Sequence, residues 1–172
     1  GDNRGTVVYH YDAGGRLRKE AYWQGQPTPD GTPYFSVRFT YYGAEAASQQ
    51  GFLKEIAFGS GDCDTEAGWT PSYSVSYQYD LLGRVTWSRE TPSGDELQWS
   101  YTPTGRVEYE ARTGDLGYYR VYAYHADGSR AWVLREDGVN GFSWDSYVYD
   151  PLSGRLAQVE GAMGGSSAEL VS

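Results

Sequence analysis

The sequence predicts an all-β protein made of consecutive antiparallel β-hairpins that form a twisted or spiralling sheet. Aromatic residues alternate with polar ones, as they do when one face of a strand is covered. Glycine-containing turns separate these stretches. The chain is correspondingly rich in both residue types, with 17 Tyr and 23 Gly in 172 residues. Because the pattern recurs along most of the chain, we expect roughly ten to thirteen strands.

The clearest hairpin reads Tyr-Gln-Tyr-Asp-Leu-Leu-Gly-Arg-Val, starting at Tyr77. Tyr77 and Tyr79 are two residues apart, so both point to the same face of a strand. Asp80 and Gly83 fit the first and fourth positions of a type I turn, where glycine tolerates a positive φ. Arg84 leaves the turn close enough to Asp80 for a charge-assisted pair. The stretch therefore predicts a strand, a tight turn and a returning strand.

Copies of this hairpin recur. One near-complete copy opens the chain, three partial copies follow the clearest one, and an eroded sixth copy covers residues 39–43. In the last four copies the second aromatic positions are 22, 23 and 25 residues apart, a spacing typical of one supersecondary unit per repeat. The repeat positions are Tyr9, Tyr11, Asp12, Gly15, Arg16, Tyr77, Tyr79, Asp80, Gly83, Arg84, Tyr101, Gly105, Arg106, Tyr124, Gly128, Tyr149, Asp150, Gly154 and Arg155.

These repeats resemble the signature of the YD-repeat, or RHS-repeat, family, Tyr-x-Tyr-Asp-x-x-Gly-Arg-Leu. The resemblance covers most of residues 7 to 160. It implies hairpins strung into a long spiralling sheet, as in bacterial toxin shells, wall-associated proteins and animal teneurins. By analogy with the family, we expect a secreted or bacterial cell-envelope protein, and an accessory role in a toxin system is a narrower expectation.

The organisation expected from composition is simple. Residues 1–6 are predicted to be a flexible lead, residues 7–160 a single β domain, and residues 161–172 a flexible or partner-pinned tail. Residues 44–50 have helix-friendly composition and are expected to form one or two helical turns or a mobile loop. Apolar runs stay below membrane-spanning length, so we do not expect membrane insertion.

Charge and cysteine content narrow the function. The net charge is −9 and the isoelectric point is near 4.6, so the basic footprint of a nucleic-acid-binding protein is missing.

Cys63 is the single cysteine and lies between Asp62 and Asp64. These carboxylates are expected to raise the pKa of the thiol and make it a poor nucleophile. An incidental loop thiol is the favoured interpretation, with an intermolecular disulfide as the alternative.

The acidic residues predict structure rather than catalysis. Residues 62–66 could offer oxygens to Ca²⁺ but lack the glycine and distal glutamate of an EF-hand, so we expect a solvated loop. Asp12, Asp80 and Asp150 recur at fixed turn positions, and a turn explains them better than the paired carboxylates of a glycoside hydrolase. We expect neither an enzyme nor a catalytic residue, a metal or a cofactor.

The aromatic residues divide into two groups. The alternating ones are expected to be the buried core of the sheet, with tyrosine hydroxyls reaching partners at the rim. That group is Tyr9, Tyr11, Tyr77, Tyr79, Trp99, Tyr101, Tyr122, Tyr124, Tyr147 and Tyr149. The second group could stack on a sugar ring or anchor a protein partner, with core or rim packing as the alternative. Its members are Trp23, Trp69, Trp87, Trp132 and Trp144, with Trp69 and Trp144 placed in loops.

Two functions fit these observations. One is a non-enzymatic module that binds a protein or glycan partner through surface aromatics. The other is a self-assembling subunit that forms head-to-tail oligomers or filaments. The second follows because a sheet of few repeats does not close, so its end strands carry unpaired backbone groups that can pair with another copy.

Overall fold

The computed structural model describes residues 5–28, 31–64, 69–114, 117–137 and 141–164. These residues form twelve β-strands and no helix, which confirms the predicted all-β fold and the expected number of strands. The strands are β1 (Thr6–Tyr11), β2 (Leu17–Trp23), β3 (Phe35–Tyr41), β4 (Leu53–Ser60), β5 (Tyr73–Tyr79), β6 (Val85–Thr91), β7 (Glu96–Tyr101), β8 (Val107–Arg112), β9 (Tyr118–Tyr124), β10 (Arg130–Asp137), β11 (Gly141–Tyr149) and β12 (Leu156–Gly164).

The chain divides into two compact units, Gly1–Gly94 and Asp95–Ser172. The first contains β1 to β6 and the second β7 to β12, and within each unit the strands lie side by side in chain order. Neighbouring strands are antiparallel, as expected for consecutive hairpins. The predicted single domain over residues 7–160 stays a prediction.

The turn after β5 has the geometry expected from its sequence. The Gly83 N–H donates to the Asp80 carbonyl at 3.0 Å, and Gly83 has a φ of 78°. Asp80 Oδ1 accepts the N–H groups of Leu82 and Arg84 at 2.9 and 3.0 Å, while Oδ2 accepts Arg84 Nε at 2.6 Å. The bond from the Arg84 side chain is the main cause of a lowered pKa of Asp80. The predicted turn and its ion pair are confirmed.

The same turn forms where the sequence departs from the motif. Thr102 replaces Asp, yet its N–H still donates to the Arg106 carbonyl at 2.8 Å and its hydroxyl accepts the Arg106 N–H at 3.1 Å. His125 also replaces Asp, and its N–H donates to the Ser129 carbonyl at 2.9 Å. Several of these hairpins carry a one-residue register shift beside the turn, consistent with a bulge closed by glycine. The backbone pattern therefore tolerates a change of the first residue.

One face of the first unit, which we call the loop face, carries small buried residues. They are Ala21 opposite Ser36 in β2 and β3, and Ala57 opposite Ser74 in β4 and β5. The connection between β4 and β5 returns over this face, and its Trp69 is buried there. A β-carbon on Gly59 would lie 2.9 Å from Trp69 Nε1, so the absence of a side chain at Gly59 lets the indole approach. The other face carries the repeat aromatics, and we call it the aromatic face.

Three segments differ from their predicted form. β12 continues to Gly164, four residues into the predicted tail, and residues 165–172 lie outside the described part. β1 begins at Thr6, inside the predicted lead, of which residues 1–4 are not described. Residues 43–52 form successive i-to-i+3 turns rather than a helix, with N–H donors of Ala46, Gln49 and Phe52. In β12 the pairing with β11 outweighs the weak strand preference of small residues.

Gly83→Ala is expected to lower the free energy of unfolding more than Gly15→Ala does. Both glycines have a φ of 78°, so both variants carry backbone strain of about 1 kcal/mol. A β-carbon at Gly83 would also lie 2.9 Å from the Phe52 ring, whereas none of the described atoms would lie within 4 Å of one at Gly15. Urea unfolding of both variants, alone and with Phe52→Ala, measures the difference. Equal losses would contradict this account of the turn.

Candidate binding surfaces

The repeat aromatics are less buried than the sequence predicts. Tyr9 and Tyr11 are 54% and 61% exposed, and the other eight members of the expected core are half-buried. Tyr9 and Tyr11 belong to the first strand of the sheet order, so only β2 flanks them. The most buried apolar residues of the sheet are instead small or aliphatic, such as Ala21, Ala57 and Val133. A ring on a sheet face packs along its sides and keeps its outer part in contact with solvent.

A three-residue contact, the Asp–Arg–Tyr clasp, couples the first turn to a later hairpin. Asp12 Oδ2 accepts Arg16 Nε at 2.7 Å, and the guanidinium lies 4.6 Å from the centre of the Tyr41 ring. The Tyr41 hydroxyl then donates to the Leu17 carbonyl at 2.8 Å. The second unit repeats the last two contacts, with Arg106 over Tyr124 and the Tyr124 hydroxyl donating to the carbonyl after Arg106. The motif residues thus serve packing between hairpins.

A buried lysine fastens the acidic loop to the loop face. Lys19 is 4% exposed, and its Nζ donates to Asp62 Oδ1 and, at 2.9 Å, to Asp64 Oδ2. Arg18 donates to both Asp64 oxygens at 2.8 and 3.2 Å. The loop expected to be solvated is so only in part, because Asp64 is exposed and Asp62 half-buried, and both carboxylates neutralise a cation that β2 buries. Glu66 of the same predicted loop lies outside the described residues.

Cys63 points into this packed region. It is buried beside Ala57 and Trp69. Burial is the main cause of a raised pKa of the Cys63 thiol, and the neighbouring carboxylates add to it. The predicted direction is confirmed, but its cause is chiefly desolvation rather than charge. Burial also argues against the alternative of an intermolecular disulfide, which needs an accessible sulfur.

Lys19→Met is expected to lower the free energy of unfolding by about 2 kcal/mol, because it removes charged hydrogen bonds in a desolvated site. Arg18→Met is the matched control, since it removes a neighbouring cation whose side chain is half exposed and should cost less than about 1 kcal/mol. Urea unfolding with thiol labelling of Cys63 reports both. Labelling of Cys63 should become faster in Lys19→Met but not in Arg18→Met. Equal effects of the two variants would contradict the role of Lys19 in holding the acidic loop.

The stability that Lys19 supplies is expected to depend on pH at both extremes. Burial alone would raise the pKa of Asp64, but the hydrogen bond with Lys19 outweighs burial and lowers this pKa. The stability that the Lys19–Asp64 pair supplies is therefore complete above about pH 4 and is lost as pH falls through the folded pKa of Asp64. Burial alone would lower the pKa of Lys19, but the hydrogen bonds to Asp62 and Asp64 outweigh burial and raise this pKa. The stability that Lys19 supplies is therefore complete below about pH 10 and is lost as pH rises through the folded pKa of Lys19. The wild-type advantage over Lys19→Met should vanish at both ends, and a pH-independent advantage would contradict this.

The five tryptophans proposed for binding have different environments. Trp69 is buried and Trp23 half-buried, and neither indole Nε1 has a hydrogen-bond partner among the described residues. The packing alternative therefore holds for Trp69. Trp132 and Trp144 are 40% and 37% exposed, and both lie in strands, so the predicted loop position of Trp144 is wrong. Trp87 is half-buried at the edge of a cleft.

This cleft, the β3–β6 cleft, is a depression of about 570 Å³ on the loop face. Register places six of its lining side chains on that face. Thr40 lies opposite Glu55, Glu55 opposite Ser76, and Gln78 opposite Trp87. Arg38 is two residues from Thr40 in the same strand and so shares its face. Its charged groups are Arg38, Lys54 and Glu55, and its neutral polar groups are Thr40, Ser76 and Gln78. The cleft therefore combines hydrogen-bonding groups of both kinds with an indole ring.

The aromatic side of the cleft is held in place by its own contacts. The Tyr42 hydroxyl donates to the Tyr77 carbonyl at 2.7 Å, and Lys54 Nζ lies 5.6 Å from the centre of the Tyr42 ring. Burial raises the pKa of Tyr42, so the hydroxyl stays a donor over the physiological range. Arg38 is stacked 4.8 Å from the centre of the Trp69 ring. These groups are positioned before any ligand arrives.

The second unit carries an exposed apolar area, the tryptophan patch of Trp132, Trp144 and Val148. Register places the three side chains on one face of β10 and β11, because Trp132 lies opposite Ser146 and Leu134 opposite Trp144. All three are exposed. The exposed indole rings and the Val148 side chain suit apolar contact with a partner.

Two further kinds of site concern the described residues, a metal centre and a membrane-spanning helix. Their His, Cys, Asp and Glu side chains form no group of three or more that could hold a metal ion. They contain no helix with the length and apolar character needed to cross a membrane. His10 lies in β1 opposite Lys19, and His125 contacts the Tyr149 ring edge-on at 6.0 Å. His10 is thus a strand residue, and His125 is a turn residue whose N–H donates to the Ser129 carbonyl.

Sequence reasoning identified Trp87 but missed the polar residues around it. Arg38 alternates with Val37 and Phe39, and Gln78 alternates with Tyr77 and Tyr79, so alternation alone puts each on the face opposite the aromatics. Their convergence depends on the register between β3 and β6, which one sequence does not specify.

Comparison with known proteins gives a limited result. No protein-family model and no curated protein matches the chain. Among solved structures it is similar to the crystal structure of TcdB2-TccC3-Cdc42, with 16% identity and a TM-score of 0.46, over 92% of this chain and 9% of that one. The crystal structure of TcdB2-TccC3-TEV gives the same identity and TM-score, over 95% and 9%. This chain thus spans about a tenth of either match, and a likeness of this size carries no functional argument. The YD-repeat resemblance stays a prediction from the motifs.

Proposed function

We propose that the chain is a non-enzymatic binding module of a secreted or cell-envelope protein, which recognises a glycan or protein partner. The observation that carries this proposal is the β3–β6 cleft, where the Trp87 indole lies beside fixed hydrogen-bonding groups. Its volume of about 570 Å³ falls within the usual range for ligand sites. An accessory role beside a toxin is a narrower proposal, which rests on the repeat motifs alone.

The repeat aspartates already make ion pairs or turn hydrogen bonds, which supports a binding function over a catalytic one. Asp12 and Asp80 are paired with the arginines of their own turns, and the Asp150 carboxylate accepts the N–H groups of Leu152 and Ser153. The cleft itself contains the carboxylate of Glu55, which lies 3.7 Å from the Arg38 guanidinium. A glycoside hydrolase needs two carboxylates about 5 to 10 Å apart, each able to reach the ligand. Among the described residues that line the cleft, Glu55 is the only acid.

Trp87→Ala is expected to weaken binding at least about fivefold, because stacking on an indole contributes on the order of 1 kcal/mol or more. The measurement is a screen of the wild-type chain on a glycan array and a panel of envelope proteins, followed by titration of each hit with tryptophan fluorescence. Trp144→Ala is the matched control, since it removes an exposed indole outside the cleft. Hits that lose affinity with Trp144→Ala and not with Trp87→Ala would contradict the cleft as the site.

A second candidate function, self-assembly, is favoured by one observation. β12 is the last strand in the sheet order, is nine residues long, and is exposed throughout residues 156–162. Its Leu156 and Val159 are half exposed. β1 is the first strand and also carries exposed apolar side chains, including Tyr9. Pairing of β12 in one copy with β1 in the next would be head-to-tail and would build an oligomer or a filament.

Val159→Lys is expected to shift such an assembly to monomer, because an edge lysine disfavours strand addition. Leu82→Lys is the control, since it changes an exposed apolar residue in a turn by the same charge. Light scattering at increasing protein concentration, with electron microscopy, gives the result. A wild-type chain that stays monomeric at high concentration would eliminate the assembly function.

A further inference from the structure

The charged groups around the β3–β6 cleft indicate the charge of its ligand. Two cations, Arg38 and Lys54, line the cleft with one carboxylate, Glu55. The charged residues that line the cleft therefore have a net positive charge, although the chain as a whole has a net charge of −9. A local excess of cations on an acidic protein attracts anions to one place and leaves the remaining surface unfavourable to them.

Neighbouring charges do not cancel this balance. The nearest acidic segment, with Asp62 and Asp64, is neutralised by the cations of β2, including buried Lys19. On the far side, Arg89 lies directly opposite Ser76 and so shares the face of the cleft.

The two lining cations suit a carboxylate in different ways. Stacking on Trp69 and the ion pair with Glu55 hold the planar Arg38 guanidinium in one orientation, and such a fork binds a carboxylate through two parallel hydrogen bonds. Lys54 is exposed, and its ammonium lies over the Tyr42 ring as a point charge. Together they can approach a carboxylate from two sides.

We propose that the β3–β6 cleft binds a saccharide that carries a carboxylate, such as a uronic or sialic acid unit. The sugar ring stacks on Trp87, its carboxylate lies between Arg38 and Lys54, and its hydroxyls bond to polar groups such as Gln78 and Ser76. An acidic peptide of Asp and Glu would use the cations but has no ring to stack on the Trp87 indole, which disfavours it. This inference rests on the proposed binding function and narrows its ligand.

The test compares each acidic saccharide with its own methyl ester, which removes the charge and keeps the rings. The probes are trigalacturonate, a hyaluronan tetrasaccharide and sialyllactose, titrated by tryptophan fluorescence and calorimetry. At least one acid should bind about tenfold more tightly than its ester at low salt, and the preference should shrink at about 0.5 M salt because screening weakens ion pairing. Lys54→Gln should remove most of that preference, and Arg38→Lys should reduce it while the charge is kept.

Two controls separate local charge from global charge. Arg155→Gln changes the net charge by the same amount at an exposed position outside the cleft and should leave binding unchanged. Glu55→Gln removes the single acid of the cleft and should strengthen binding of the acids. The urea midpoint of each variant establishes that it folds as the wild type does.

The outcomes distinguish this inference from the proposed function. Acids and esters that bind equally, with both lost in Trp87→Ala, would overturn the charge inference and leave the binding module intact. Binding of an Asp/Glu-rich peptide that depends on Arg38 and Lys54, with no saccharide bound, would overturn the saccharide assignment alone. No binding of any acidic saccharide, with other partners recovered through Trp87, would also overturn it. Loss of all Trp87-dependent binding would remove both proposals.

Discussion

The Asp–Arg–Tyr clasp joins a local turn to a distant hairpin, and the order of the sheet depends on contacts of this kind. Asp12 fixes the Arg16 guanidinium in the turn, so little side-chain entropy is left to lose when Arg16 stacks on Tyr41. The Tyr41 hydroxyl then ties to the backbone beside Arg16. In the second unit the Arg106 guanidinium donates instead to the Thr104 hydroxyl at 3.4 Å, and Arg106 still stacks on Tyr124. The three roles are therefore separable, which explains how motif copies can drift and still pack.

The two faces of the first unit carry different constraints. The aromatic face is filled by repeat residues whose identity serves packing between hairpins. The loop face holds the residues that alternate with them, and these are not fixed by the repeat. On that face small residues admit the loop with Trp69, while Arg38 and Gln78 contribute to the β3–β6 cleft. A repeat scaffold thus leaves alternate positions available for a specific site.

The sequence was informative wherever a contact is local. Asp80, Gly83 and Arg84 lie within five residues of one another, so turn chemistry alone predicted their geometry. It failed where partners are distant in the chain. Lys19 and Asp62 are 43 residues apart, and nothing in either segment shows that β2 buries a cation. The exposure of Tyr9 follows from its place in the first strand, and the length of β12 follows from the partner strand β11 rather than from its own composition.

The pairing of each strand with its chain neighbours has a mechanical consequence. Within a unit, a force that separates the two ends of the chain acts across the ladder and loads one pair of hydrogen bonds at a time. The strands then peel apart in sequence, from the end inward, at low force. The Lys19 ion pairs are an exception, because they tie β2 directly to the connection between β4 and β5. They form a cross-link that must break before the strands between them can be pulled out, so this part of the unit resists tension most.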